Sequence, residues 1–65
     1  MELDGYDVAR FLGLTEPVDP REWRIEDVGA GAYRAVREAD GKEVIIHPSR
    51  DQRHAAALRF MRRNG

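Results

Sequence analysis

Apolar residues along this chain recur first at helical, then at alternating, then again at helical spacing. In the opening segment "DGYDVARFLGL", Val8, Phe11 and Leu12 fall at i, i+3 and i+4, the spacing of one helical face. Asp4 stands where an N-cap belongs and Gly13 suits the left-handed position that ends a helix, so a helix of about two turns is expected. The stretch "TEPVDP" follows, and its two prolines favour an irregular crossing. "REWRIEDVG" carries two patterns at once. Asp19, Pro20 and Glu22 resemble a helix start, whereas Trp23 and Ile25 alternate with charged neighbours as in a half-buried strand. A strand entered through one helical turn satisfies both patterns, and a helix over 20–27 is the alternative. "VGAGAY" then supplies the glycines for a reversal.

"YRAVREADGKEVIIH" predicts a hairpin. A two-residue turn at Asp40-Gly41 would set Glu38 against Glu43, which is unfavourable. A three-residue loop of Ala39, Asp40 and Gly41, with Gly41 left-handed, pairs Glu38 with Lys42, Arg37 with Glu43 and Val36 with Val44 instead. That register also sets Ala35 opposite Ile45 and Tyr33 opposite His47. It puts Val36, Val44 and Ile46 on one face of the sheet, and Tyr33, Ala35 and Ile45 on the other.

The last segment, "PSRDQRHAAALRFMRR", returns to helical spacing. Ser49 and Gln52 fit a capping box, so the helix is expected to begin at Arg50. His54, Ala57, Leu58, Phe60 and Met61 gather on one arc, and Arg59, Arg62 and Arg63 gather opposite. The expected fold class is therefore α+β, a small single domain over 1–65 in α-β-β-β-α order, with a three-stranded antiparallel sheet packed by two helices. The runner-up turns 20–27 into a second helix, which makes the hairpin the wing of a winged helix-turn-helix. "DVARFLGL" resembles the first helix of such units.

At 65 residues, a chain buries only about 60% of the surface its unfolded state exposes, so large side chains are needed inside. With no cysteine there is no disulfide or thiolate site to brace it, and a cytoplasmic setting is the default. No apolar run approaches the roughly 18 to 20 residues of a membrane span, and "MELDGYDVAR" is unlike a signal peptide; a soluble, unprocessed chain with no membrane partner is expected. Net charge is −1, but it is unevenly spread. Residues 1–43 carry eleven acids against six bases, whereas residues 44–65 carry five arginines and one aspartate. The molecule is polarised, with its positive end on the last helix.

Chemistry is sparse. The single serine is accounted for as a helix cap and the single threonine stands at a helix exit, which leaves no candidate nucleophile. His47 and His54 lack further ligands at any metal-site spacing, and "GAG" at 29–31 sits in a hairpin connection rather than before a helix. No enzyme, no metal and no cofactor are expected. What remains is the arginine set. Arg50 and Arg53 stand in the first turns of the last helix, with Arg59, Arg62 and Arg63 further along it.

The α-β-β-β-α order and the "SR...AAAL" start of the last helix resemble a double-stranded-RNA-binding domain, which implies that Arg50 and Arg53 meet phosphates across a groove. Asp51 stands between them, and the other residues of that family's basic cluster have no counterpart here. The β-β-β-α portion is also similar to the arm-site-binding domain of phage-type integrases, which implies a sheet entering a DNA major groove. Polyanion binders, however, usually declare themselves in net charge, and this chain is slightly acidic. The preferred expectation is a non-enzymatic accessory or regulatory module, of a size common among phage and mobile-element proteins, that binds another protein or itself. Arg50, Arg53, Arg59, Arg62, Arg63 and Tyr33 are its contact residues, and nucleic acid on the same arginines is the alternative.

Overall fold

The computed structural model describes residues 3–62. Helix α1 spans Gly5–Leu12, a 3-10 turn spans Pro20–Glu22, strands β1, β2 and β3 span Trp23–Gly29, Ala32–Arg37 and Lys42–Ile46, and helix α2 spans Gln52–Arg62. The α-β-β-β-α order holds, and residues 20–27 are one helical turn running into a strand. The sheet is antiparallel in the order β1-β2-β3. Helix α2 packs on the sheet and α1 packs against α2. One hydrophobic cluster joins them, with Val8 and Ala9 of α1, Val18, Trp23, Ala35, Ile46, and Ala57, Leu58 and Met61 of α2.

Both ends of α1 follow from local chemistry. The Asp4 carboxylate accepts the Asp7 N–H at 2.9 Å, and the Asp7 carboxylate accepts the Asp4 N–H at 3.2 Å, so two otherwise orphaned donors are satisfied reciprocally. At the other end Gly13 is left-handed, the Leu14 N–H donates to the Ala9 carbonyl at 2.8 Å, and the Gly13 N–H donates to the Arg10 carbonyl. That is a Schellman closure. Between β1 and β2, Gly29, Ala30 and Gly31 all have positive φ, and the ladder skips a residue between Asp27 and Gly29. Val28 is the extra residue of that bulge and is left exposed.

The β2–β3 register differs from the expected one by a single residue. Arg37 stands opposite Lys42, Val36 opposite Glu43, Ala35 opposite Val44, and Tyr33 opposite Ile46 rather than His47. The loop is four residues, 38–41, closed by the Gly41 N–H on the Arg37 carbonyl at 2.8 Å with Gly41 left-handed as expected. Asp40 makes this turn workable. Its carboxylate takes Arg37 Nε at 3.0 Å and the Lys42 backbone N–H at 3.2 Å, so it neutralises one of the two like charges that face each other across the ladder. Burial decides the rest. A one-residue slip exchanges the two faces of a strand, and only the observed register puts Tyr33, Ala35, Val44 and Ile46 together over the core.

The face turned away from the core carries an ion-pair lattice. Glu26 accepts from Arg34 directly opposite it and from Arg24 Nη2 at 2.9 Å, while Arg34 also reaches Glu43 of β3 at 3.3 Å. The Arg34 hydrogen bond holds the Glu26 carboxyl below its usual value, and the Arg37 hydrogen bond, helped by the Lys42 N–H, holds Asp40 down to about 2. Lowered folded-state values mean that the unfolded chain binds more protons in acid, so this stabilisation is present above about pH 4 and is lost as pH falls toward 2. The thermal midpoint should therefore hold near neutral pH and fall through that window. An unchanged midpoint down to about pH 2 would contradict the pairing.

Helix α2 begins two residues later than expected. Residues 48–50 form a turn in which the Arg50 and Asp51 N–H groups donate to the His47 carbonyl at 3.1 and 3.2 Å. Asp51, not Ser49, is the cap: its carboxylate accepts the Arg53 N–H at 2.8 Å, and its carbonyl accepts the first helical bond from Ala55. Both residue types cap well, and the one immediately before the apolar run prevails. Asp51→Ala should lower the thermal midpoint by about 5 °C, whereas Ser49→Ala should leave it nearly unchanged. Equal effects would reverse the assignment.

Candidate interaction surface

The arginines divide into two populations. Arg21 is paired with Asp19 at 3.1 Å, Arg24 with Glu26 and Glu38, Arg34 with Glu26 and Glu43, and Arg37 with Asp40 and with Glu16 at 3.7 Å. Arg53 folds back onto Asp51, Nη2 to Oδ2 at 3.0 Å. Arg10, Arg50, Arg59 and Arg62 have no carboxylate within 4.0 Å among the described residues. The arginines of the sheet are thus compensated within the fold, whereas Arg10 on α1, Arg50 in the turn and Arg59 and Arg62 on α2 are not, among the described residues.

Of the contact residues expected from sequence, the structure brings two together. The Arg62 guanidinium lies 4.8 Å from the centroid of the Tyr33 ring, a cation–π contact that joins the end of α2 to the middle strand. Arg62 is therefore not on the solvent crest with Arg59 but leans from the helix flank over the sheet. The shift follows from helical phase: Arg62 lies one position beyond the buried Met61, about 100° from it around the helix. Arg59 is exposed on the crest. Arg50 is exposed in the turn before the helix, and Arg53 lies about 13 Å along the axis from Arg62 with its charge taken by Asp51. Arg63 lies outside the described residues.

Among the aromatic side chains, Trp23 is buried, Tyr33 and Phe60 are half-buried, and Tyr6 is exposed at 66%. Trp23 therefore belongs to the core and Tyr6 does not. His54 is half-buried, and its Nδ1 accepts the His47 N–H at 3.1 Å, so this ring stitches the end of β3 to α2. No group of three His, Cys, Asp or Glu side chains among the described residues could hold a metal ion.

A groove that the sequence did not disclose runs between β1 and the C-terminal end of α2. Trp23, Ile25 and Met61 line it with Arg24, Glu38 and Arg62. Alternation in β1 predicted that Trp23 and Ile25 share a face, but their meeting with Met61 and Arg62 depends on how α2 crosses the sheet. No helix among the described residues is long and apolar enough to cross a membrane.

No family model, curated protein or solved structure matches this chain. Arg59 and Arg62, without carboxylate partners among the described residues and the latter on the rim of a groove with apolar and charged walls, can bind carboxylates or phosphates, and the two differ in salt response: phosphate contacts weaken linearly in log salt, whereas an interface with a desolvated apolar centre weakens less.

Proposed function

We propose that this protein is a non-enzymatic interaction module, an accessory or regulatory cytoplasmic domain that binds an acidic protein surface through helix α2. The observation that carries the proposal is the uneven compensation of arginine: those of the sheet are paired, while Arg59 and Arg62 on α2 have no carboxylate partner among the described residues. Leaving a helix charged in this way favours an oppositely charged partner and raises the rate of encounter with it. Arg59 and Arg62, with Tyr33 beneath Arg62, form the contact, and Arg50 extends it. Arg53 contributes less than its position suggests, because Asp51 already neutralises it. The same neutralisation weighs against phosphate gripping at the start of α2, as does the slight net negative charge.

The test is a titration of the folded protein against a fluorescent glutamate-rich peptide, duplex RNA and duplex DNA, at low and at physiological salt. An Arg59→Glu, Arg62→Glu variant, checked for native circular dichroism, runs in parallel. Binding of the peptide that is lost in the variant is expected. Micromolar binding of RNA or DNA at physiological salt, lost in the same variant, would replace the protein partner with nucleic acid. Binding of none of the three would remove both.

A further inference from the structure

Strand β1 is an edge of the sheet, and its pairing phase can be read from one hydrogen bond. The Glu38 N–H donates to the Glu22 carbonyl, so the pair just before the ladder is hydrogen-bonded. In an antiparallel ladder such pairs alternate, so Arg24 and Glu26 point their amide groups at β2. Trp23, Ile25 and Asp27 then point theirs outward, where no other strand pairs with them among the described residues. The same alternation makes Glu43, Ile45 and His47 the outward residues of β3, and there the His47 N–H is already taken by His54 Nδ1. The two edges therefore differ. That of β3 is closed at one end by a side chain, while that of β1 borders the groove lined by Trp23, Ile25, Met61 and Arg62. Outward amides and groove-lining side chains belong to the same two residues, Trp23 and Ile25.

We propose that an extended segment of the acidic partner adds to β1 as a fourth strand. Its outward-facing amides pair with Trp23 and Ile25, one apolar side chain lies on Trp23, Ile25 and Met61, and a carboxylate two residues along reaches Arg62. The spacing follows from strand geometry, since side chains two apart share a face about 6.6 Å apart. Charge chooses the occupant. Arg62 has no carboxylate partner among the described residues, whereas Arg24 on the other rim is occupied by Glu26 and Glu38. Asp27 and Glu38 restrict the segment to a single acid opposite Arg62, and the bulge at Val28 limits it to a short strand. The proposal deepens the reading above by naming how the acidic partner binds, and it rests on that reading for the partner's class.

The probe is a capped peptide, Thr-Val-Thr-Val-Thr-Glu-Thr, added to the full chain and followed by amide hydrogen exchange. The outward amides of Trp23 and Ile25 should slow by about tenfold or more at saturation while those of Arg24 and Glu26 change little. Arg62→Glu, or lysine for the peptide's glutamate, should weaken binding by about tenfold. Binding without protection of Trp23 and Ile25, or no binding while the glutamate-rich peptide still binds through Arg59, would overturn strand addition and leave the α2 surface standing. Failure of both peptides would overturn both.

Discussion

Gly5→Ala should cost about 3 kcal/mol and leave much of the protein unfolded at physiological temperature, because a domain of this size holds roughly 3 to 5 kcal/mol in its core. A Cβ at position 5 would stand 2.3 Å from the Val18 carbonyl oxygen, 3.0 Å from its nitrogen and 3.1 Å from its carbonyl carbon. Those are backbone atoms and cannot swing aside. The Val18 N–H also donates to the Gly5 carbonyl at 2.9 Å, so relieving the clash means giving up the bond that ties the start of α1 to the segment before the 3-10 turn. Gly13 makes a useful contrast. Its φ is +73° with open space around the missing Cβ, so Gly13→Ala is penalised by backbone strain alone, at about 1 kcal/mol. Urea denaturation followed by circular dichroism measures both. A Gly5→Ala loss no larger than that of Gly13→Ala would mean the two segments separate cheaply.

Trp23→Ala carries the second large effect, about 3 to 5 kcal/mol. Trp23 is the first residue of β1, is 8% exposed, and belongs to the cluster shared with Met61 and Leu58. The Arg37 guanidinium lies 5.5 Å from its ring centroid and is itself held by Asp40 and Glu16, so the indole is enclosed on a second side by an anchored cation. Trp23→Phe keeps part of the volume and should lose less than half as much. Thermal melts by far-ultraviolet circular dichroism distinguish the two variants. A Trp23→Ala cost below about 1 kcal/mol would make the tryptophan an exposed anchor rather than a core residue.

Where local chemistry decides structure, the sequence was legible. Asp4 and Gly13 bound α1 through contacts within one turn of each end, and Asp19-Pro20 starts the turn that delivers Trp23 and Ile25 to the sheet. Where a choice depends on what lies across the fold, it was not. Glu38 with Lys42 and Arg37 with Glu43 is the better set of neighbours for an isolated hairpin. Burial of Ala35 and Ile46 under α2 outweighs it, with Asp40 relieving the residual repulsion. Ser49 was read as the cap of α2, but aspartate caps as well as serine does, and helical periodicity alone does not separate starts two residues apart. The demand for glycine at position 5 has no signal in the sequence, because it arises from Val18, which the chain brings back only after an irregular crossing. At the candidate surface, the arginines of α2 were visible as a cluster. Which of them are compensated, and that Arg62 turns toward Tyr33, depended on tertiary placement.

The strand order β1-β2-β3 joins only strands that are neighbours in sequence, whereas α1 meets α2 from the opposite end of the chain. Each hairpin closes a short loop and can form on the scale of about 1 to 10 μs, but α1 gains its burial only after the longest loop in the molecule has closed. Val8 and Ala9 therefore have only the nearby Val18 and Leu14 to pack against until the sheet and α2 have assembled. During synthesis α1 leaves the ribosome before α2 exists, so it waits for the later helix to complete its burial.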